Sequence, residues 1–253
     1  MRDFTHTIYK ELLLELLAKG YQFVRVKDYF DGNYDKNRAF VIMRHDVDRR
    51  PNASLEMAKI EQNMDIRATY YFRTIPTTFK PDTIKQIALL NHEIGYHYES
   101  LAEKNGDYKE AIKDFEYNLN RLREFYPVKN IAMHGRPTSK WDSRDLWKEY
   151  NYKDFDIISE PYFDFDFNEI LYITDAGRAW GDEAVNLRDK VKSQFDFKIG
   201  STQEIVELLK ESKLPQKIMF NIHPEHWAKS SLEWYEIYTI RKSKNFIKRF
   251  VIR

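Results

Sequence analysis

The chain contains no cysteine, so disulfides and thiolate metal sites are closed to it, and any metal must be held by His, Asp, Glu or water. Charge of one sign is missing as well: 41 basic residues stand against 40 acidic ones, for a net charge of +1. That balance gives no electrostatic case for a nucleic-acid or strongly acidic partner. No run approaches the ~18 consecutive apolar residues that span a bilayer. The first residues, Met1-Arg2-Asp3-Phe4-Thr5-His6, lead into an amphipathic segment and not into the apolar stretch of a signal peptide. A cytoplasmic location without membrane contact is the expectation. Glycine and proline number eight each and form no linker, and no repeat or low-complexity tract divides the chain.

What is present suffices for a core, with 42 % of the 253 residues hydrophobic and 15 % aromatic. A single domain over residues 1–253 is expected, because barrels of alternating strands and helices commonly run to about 250 residues. Strand-like runs at 40–43, 68–72, 93–96, 130–133, 156–159, 170–174 and 217–222 are interleaved with helical spacing at 53–63, 82–90, 108–125, 143–150 and 202–210. A first helix at 8–18 precedes them, closed by Gly20, and Ser201-Thr202 supplies caps for the last of the interleaved helices. Alternation of this kind implies parallel strands with right-handed crossovers. The fold class is therefore α/β, a distorted (β/α)7 TIM-like barrel with its active site at the carboxyl-terminal rim. Residues 164–168 and 175–189 read as long rim loops, and the tail from 227 to 250 reads as a helix with a basic, aromatic end whose solvated face closes the barrel bottom.

The chemistry-bearing residues cluster where strands end: Arg44-His45-Asp46-Val47-Asp48, His97-Tyr98-Glu99, His134-Gly135, Glu160, Asp175 and Asn221-Ile222-His223. A strand alternates its side chains between two faces, so Asp46 and Asp48 share a face, as do His97 and Glu99. Parallel strands ending at one rim can gather such groups around a cation.

The order of these motifs resembles the polysaccharide deacetylase family of carbohydrate esterases, over roughly residues 40–227. The resemblance implies that Asp46 is the general base and Asp48 a metal ligand. After the lead-in Asn91-His92-Glu93-Ile94-Gly95, His97 stands where the first histidine ligand belongs. Leu101 occupies the place of the second, and a leucine cannot bind a divalent ion. Either Glu99 or His134 then completes the site or the site is empty, and His134 is preferred, because two imidazoles and one carboxylate suit Zn2+, with Fe, Co and Ni as alternatives. His134-Gly135-Arg136-Pro137 is similar to the family's third motif, in which Arg136 would orient Asp46 or contact substrate. Asp175, with Gly177, Arg178 and Trp180, is similar to the fourth, which orients the catalytic histidine and walls the pocket; His223 would be that histidine, the general acid.

The implied reaction is metal-dependent hydrolysis of an N-acyl group, usually acetyl, from a carbohydrate or nucleotide-sugar substrate, in surface-polysaccharide synthesis. Two other readings remain open: a carbohydrate-binding relative that has given up catalysis, and a metal hydrolase of another amide, an ester or a phosphoester. For the last, Arg44, Arg49, Arg50, Arg73 and Arg178 could line an anion pocket, although solvated surface arginines account equally well for most of them.

Overall fold

A computed structural model describes residues 2–136, 138–181 and 188–251, except for the side chains of residues 247–251. Pro137 and residues 182–187 of the long loop read from sequence lie outside the described residues. The strands are β1 (Gln22–Phe23), β2 (Phe40–Val47), β3 (Thr69–Phe72), β4 (Glu93–Tyr98), β5 (Ile131–Met133), β6 (Leu171–Thr174) and β7 (Lys217–Ile222). The helices are α1 (His6–Ala18), α2 (Val26–Asp31), α3 (Pro51–Gln62), α4 (Pro81–Leu89), α5 (Ser100–Glu103), α6 (Tyr108–Arg123), α7 (Pro161–Asp164), α8 (Thr202–Lys210) and α9 (Ser231–Val251).

All strands pair in parallel in the order β5-β4-β3-β2-β7-β6, with β1 beside the start of β2. The sheet curls into a half-barrel whose edges are β5 and β6. Side-chain parity decides what each face buries. Phe40, Ile42, Tyr71, Ala132 and Met219 point into the concave interior, whereas Val41, Met43, Val47, Tyr70, Phe220 and Ile222 meet the helices. Strand β2 is buried along its whole length, as a central strand of a parallel sheet must be. Thr5 caps α1 by accepting from the Ile8 amide, and Ser201 caps α8 by accepting from that of Glu204.

Four readings of the sequence need correction. Residues 156–159 form no strand: Asp156 takes a left-handed backbone conformation (φ 58°), which ends extended structure, and Ser159 contributes only a single bridge to Asn130. The sheet's seventh strand is instead the short β1, and the stretch read as a helix at 143–150 is a 3-10 turn, Ser143–Lys148. Residues 164–168 are not a rim loop, because Phe165 and Phe167 join Phe40 and Ile170 to plug the opposite, amino-terminal mouth of the half-barrel. The tail does not close that mouth either. Arg241 and Asn245 of α9 bond to Glu225 and to the Gly177 carbonyl, on the loops that follow β7 and β6, so the helix lies across the carboxyl-terminal rim.

Gly95 is required by close approach. A Cβ there would lie 2.4 Å from Cδ1 of the buried Tyr71 ring and 3.1 Å from the Asn130 carbonyl. Gly95→Ala is expected to lower the unfolding free energy by about 1–3 kcal/mol through overpacking, with an unchanged denaturant m-value; a variant as stable as the parent would show that the interior has slack.

Candidate metal and acyl-transfer site

Strand β2 supplies the first groups. Its alternation sends Arg44 and Asp46 into the concave interior and His45 toward the helices, where Nε2 lies 2.6 Å from the buried Glu61 carboxylate. His45 therefore belongs to the structural layer. Arg44 grips Asp46 in bidentate fashion, Nε to Oδ1 at 2.9 Å and Nη2 to Oδ2 at 2.8 Å. Asn221, opposite Arg44 across the β2–β7 pairing, donates its Nδ2 to Asp46 Oδ2 at 3.1 Å. Burial pushes the Asp46 carboxyl up, but the charge of Arg44, with His97 and His223, more than offsets this, and the group is held below the usual carboxylate range. Asp46 is ionised at neutral pH.

Asp48, just after β2, His97, within β4, and His134, just after β5, come together at the carboxyl-terminal ends of three strands. His97 Nε2 lies 3.2 Å from Asp48 Oδ1 and 3.5 Å from Asp46 Oδ2, and His134 Nε2 lies 3.4 Å from Asp48 Oδ2. None of these contacts has hydrogen-bond geometry, and Asp48 Oδ1 is buried without a donor. The outer nitrogens are already committed. His97 Nδ1 is 2.9 Å from the Ala132 carbonyl, which can only accept, and His134 Nδ1 is 2.9 Å from Glu99 Oε2. Both rings thus carry their proton on Nδ1 and turn Nε2 toward Asp48, the arrangement that second-shell acceptors impose on metal-ligating histidines. The two distances end on different oxygens of Asp48, so the rings flank one carboxylate, and an ion held by all three would require the two imidazoles to draw closer to a single oxygen; among the described residues the group whose ligand atoms all lie within 4.8 Å of one another is Asp175, His223 and His226. Burial would lower His134, but Asp48 and Glu99 outweigh it and raise the group to about 9, as expected of a spot that attracts positive charge.

Glu99 serves beneath this set. Arg73 holds its Oε1 through Nε at 2.7 Å, its Oε2 orients His134, and it is held down to about 2, burial being outweighed by His134 and Arg73. Leu101 is fully buried among the apolar residues between sheet and helices. His134, just after the neighbouring strand β5, is the imidazole that stands beside His97 instead, with ring centroids 5.1 Å apart.

Asp175 and His223 form a second pair. Asp175 Oδ1 accepts from the His223 amide at 2.9 Å and lies 2.7 Å from Nδ1, while Oδ2 accepts from Trp227 Nε1 at 2.9 Å. Burial disfavours the imidazolium, yet Asp175, with help from Asp48 and Asp46, raises His223 to about 10. His226, its ring stacked on His223, is buried without a hydrogen-bond partner; burial and the Arg241 charge bring it down to about 3. Asp175, His223 and His226 each offer an atom within 4.8 Å of the others and could hold a metal ion. To do so they would rearrange the His223–Asp175 hydrogen bond, while Asp48, His97 and His134 would exchange their mutual ion pairs, and the Nε2 proton of His134, for the ion.

Arg136 does not orient Asp46, one of the two roles expected of it. Its guanidinium pairs with Glu103 at 2.5 Å and approaches Glu99 at 3.8 Å, and Arg44 occupies the position beside Asp46. Trp180 donates to Thr202 Oγ1 and packs on Phe4 and Trp227. Arg44 and Asn221 were open to sequence reasoning, since each stands two residues from a candidate group on the same strand face. Asp189, which accepts from Tyr162, Tyr172, Thr174 and Asn221 behind Asp46, gives no local signal.

No family model and no curated protein matches the chain. Among solved structures it is similar to a CE4 family pseudoenzyme from Bacillus anthracis at 14 % identity and TM-score 0.46, over 83 % of this chain and 63 % of that one. It is also similar to a family 4 carbohydrate esterase from Bacillus anthracis, at 11 % identity and TM-score 0.44 over 97 % and 88 % of the two chains. A third is a peptidoglycan deacetylase from Bacillus subtilis, at 12 % identity and TM-score 0.42 over 86 % and 100 %. The chain spans less than two thirds of the length of the first.

Asp175→Asn is expected to move the His223 titration from about 10 back toward the ordinary 6.5, read from the imidazole proton shifts by NMR. Linkage has a definite sign here: a raised folded-state pKa stabilises fully below 6.5, and that stability is lost as pH rises through about 10. The parent's margin over the variant should accordingly shrink from pH 7 to pH 10. An unmoved titration would detach His223 from Asp175.

Proposed function

We propose that the chain is a metal-dependent hydrolase that removes an N-acyl group, acetyl in the first instance, from an amino sugar. The observation that carries this reading is the convergence of two Nε2 atoms, each with its Nδ1 committed elsewhere, on a carboxylate two residues from an ionised, buried Asp46. Asp48, His97 and His134 would hold the ion, which when bound supplies Lewis acidity to the acyl oxygen and to water.

The remaining work falls to the chain's own residues. Asp46, fixed by Arg44 and Asn221, has no torsional freedom to lose on accepting a proton from water. Water oxygen adds to the acyl carbon, and the carbon–nitrogen bond then breaks. His223, charged at neutral pH because Asp175 holds Nδ1, keeps Nε2 free to protonate the departing amine. The products are a carboxylate and an amino sugar.

Asp46→Asn is expected to retain the ion while acetate release from N-acetylglucosamine oligomers falls by about 10²–10⁴-fold, the usual worth of a general base. Asp48→Asn and His97→Ala should lose both, by elemental analysis of the purified variants. Undiminished release in Asp46→Asn would remove it from the base role. A parent that holds metal and sugar yet frees no acetate would establish the binding relative instead.

A further inference from the structure

The sheet is open between its two edges, β5 and β6, and two consecutive residues of the loop that follows β6 reach both sides of the opening. Arg188 takes the β5 side. Its Nη2 donates to the Ser139 carbonyl at 2.6 Å and its Nη1 lies 3.5 Å from Asp142 Oδ2, both on the segment after β5. Gly135, next to the candidate ligand His134, lies so close that a Cβ there would stand 2.6 Å from the Arg188 Cβ. Asp189 takes the β6 side, where Oδ1 accepts from Tyr162 at 2.5 Å and from Tyr172, and Oδ2 accepts from Thr174 Oγ1 at 2.5 Å. Neighbouring Cα atoms are about 3.8 Å apart, so the two sides are tied together within one peptide unit.

Asp189 also reaches the centre of the site. Asn221 Nδ2 stands 3.1 Å from Asp189 Oδ2, 3.1 Å from Asp46 Oδ2 and 3.0 Å from the Tyr172 hydroxyl. An amide set between two carboxylates must turn its N–H groups, and not its oxygen, toward both. Tyr172 reinforces that choice, because its proton is given to Asp189 and its hydroxyl oxygen can then only accept from Asn221. Asn221 Oδ1 is accordingly buried without a donor. Two carboxylates that share one amide nitrogen repel each other, a cost that a neutral acceptor would avoid if anchoring the loop were the only task.

We infer that Arg188 and Asp189 form a strap across the open side of the half-barrel, and that Asp189 is a positioning residue for Asp46, acting through the Asn221 amide. That Asp46 is a base rests on the hydrolase reading; the strap and its hold on Asn221 do not. Without the Asp189 carboxylate the Tyr172 proton is released to Asn221 Oδ1 and the amide is free to turn. Asp46 then loses one of the donors that fix it beside Arg44. The strap thus joins the two halves of the site, the segment that carries His134 and the strand that carries Asn221.

The test uses the full, isotope-labelled chain with zinc. The side-chain amide signals of Asn221, identified by their loss in Asn221→Ala, are followed by NMR in the parent and in Asp189→Asn, and acetate release is measured on the same preparations. Asp189→Asn is expected to move those signals and to lower kcat about tenfold, the worth of one positioning hydrogen bond, with KM and bound metal unchanged. In the Asn221→Ala background the same substitution should cost nothing further in kcat, because the route is gone. A loss that persists in that background, or amide signals that stay where they are, would overturn the inference and reduce Asp189 to a loop anchor. Arg188→Ala loosens only the β5 end of the strap and should move the same signals in the same direction by less; it serves where Asp189→Asn does not fold, and an unmoved signal there counts equally against the strap. The amide signals are read without turnover, so a parent that releases no acetate counts against the hydrolase alone.

Discussion

A guanidinium with no solvent exposure inside a β-sheet can persist only against a partner, and the Arg44–Asp46 pair is the constraint around which the interior is built. Arg44 also lies 5.4 Å over the ring of Tyr71 and 5.2 Å over that of Tyr162, faces that favour a cation. Removing one partner of such a pair typically costs 3–5 kcal/mol, because the other charge is left buried alone. The pair therefore fixes the rotamer of Asp46 and keeps it ionised. It does so from within β2 itself, so the carboxylate cannot shift without the central strand.

From that pair the polar interior extends toward both neighbouring strands. Asn221 links Asp46 to Tyr172 and Asp189 on the β6 side. On the other side His97 approaches both Asp46 and Asp48, and Glu99 carries the chain of contacts through His134 and Arg73. Deeper in the half-barrel Glu160, buried beneath Arg44, is raised to about 7 because burial outweighs the nearby arginine. A sheet interior so rich in buried polar groups is costly to form, and its groups are ordered along the strands, with an apolar plug at one mouth and ionisable residues at the other. That gradient fits an active-site rim better than a packing core.

Much of this was legible from the chain. The strand-end clusters at Asp46, Asp48, His97, His134, Asp175 and His223 could be read because parity on a strand is strict, and the positions of β2, β3, β4, β6 and β7 followed from uninterrupted apolar runs. Where reading failed, the physics was local or remote. Asp156 adopts a left-handed conformation that an apolar neighbourhood does not reveal, and Phe165 and Phe167 alternate as in an exposed loop yet plug a barrel mouth. Motif order offered Arg136 as a partner of Asp46 or of substrate, when Arg44, on the same strand face as Asp46, stood closer to it. The meeting of Arg241 with Glu225 depends on how a terminal helix crosses the rim, which no spacing encodes.

Two groupings compete for a cation, and their difference is one of chemical readiness. His97 and His134 each direct Nε2 at Asp48, whose Oδ1 has no hydrogen-bond partner, while Asp175, in the more closely spaced group, is occupied by His223 and Trp227. An anomalous-scattering map of the crystallised protein grown with zinc decides between them. A single peak enclosed by Asp48, His97 and His134 is the expected result; a peak between Asp175 and His226, or no ordered ion at either place, would contradict the account.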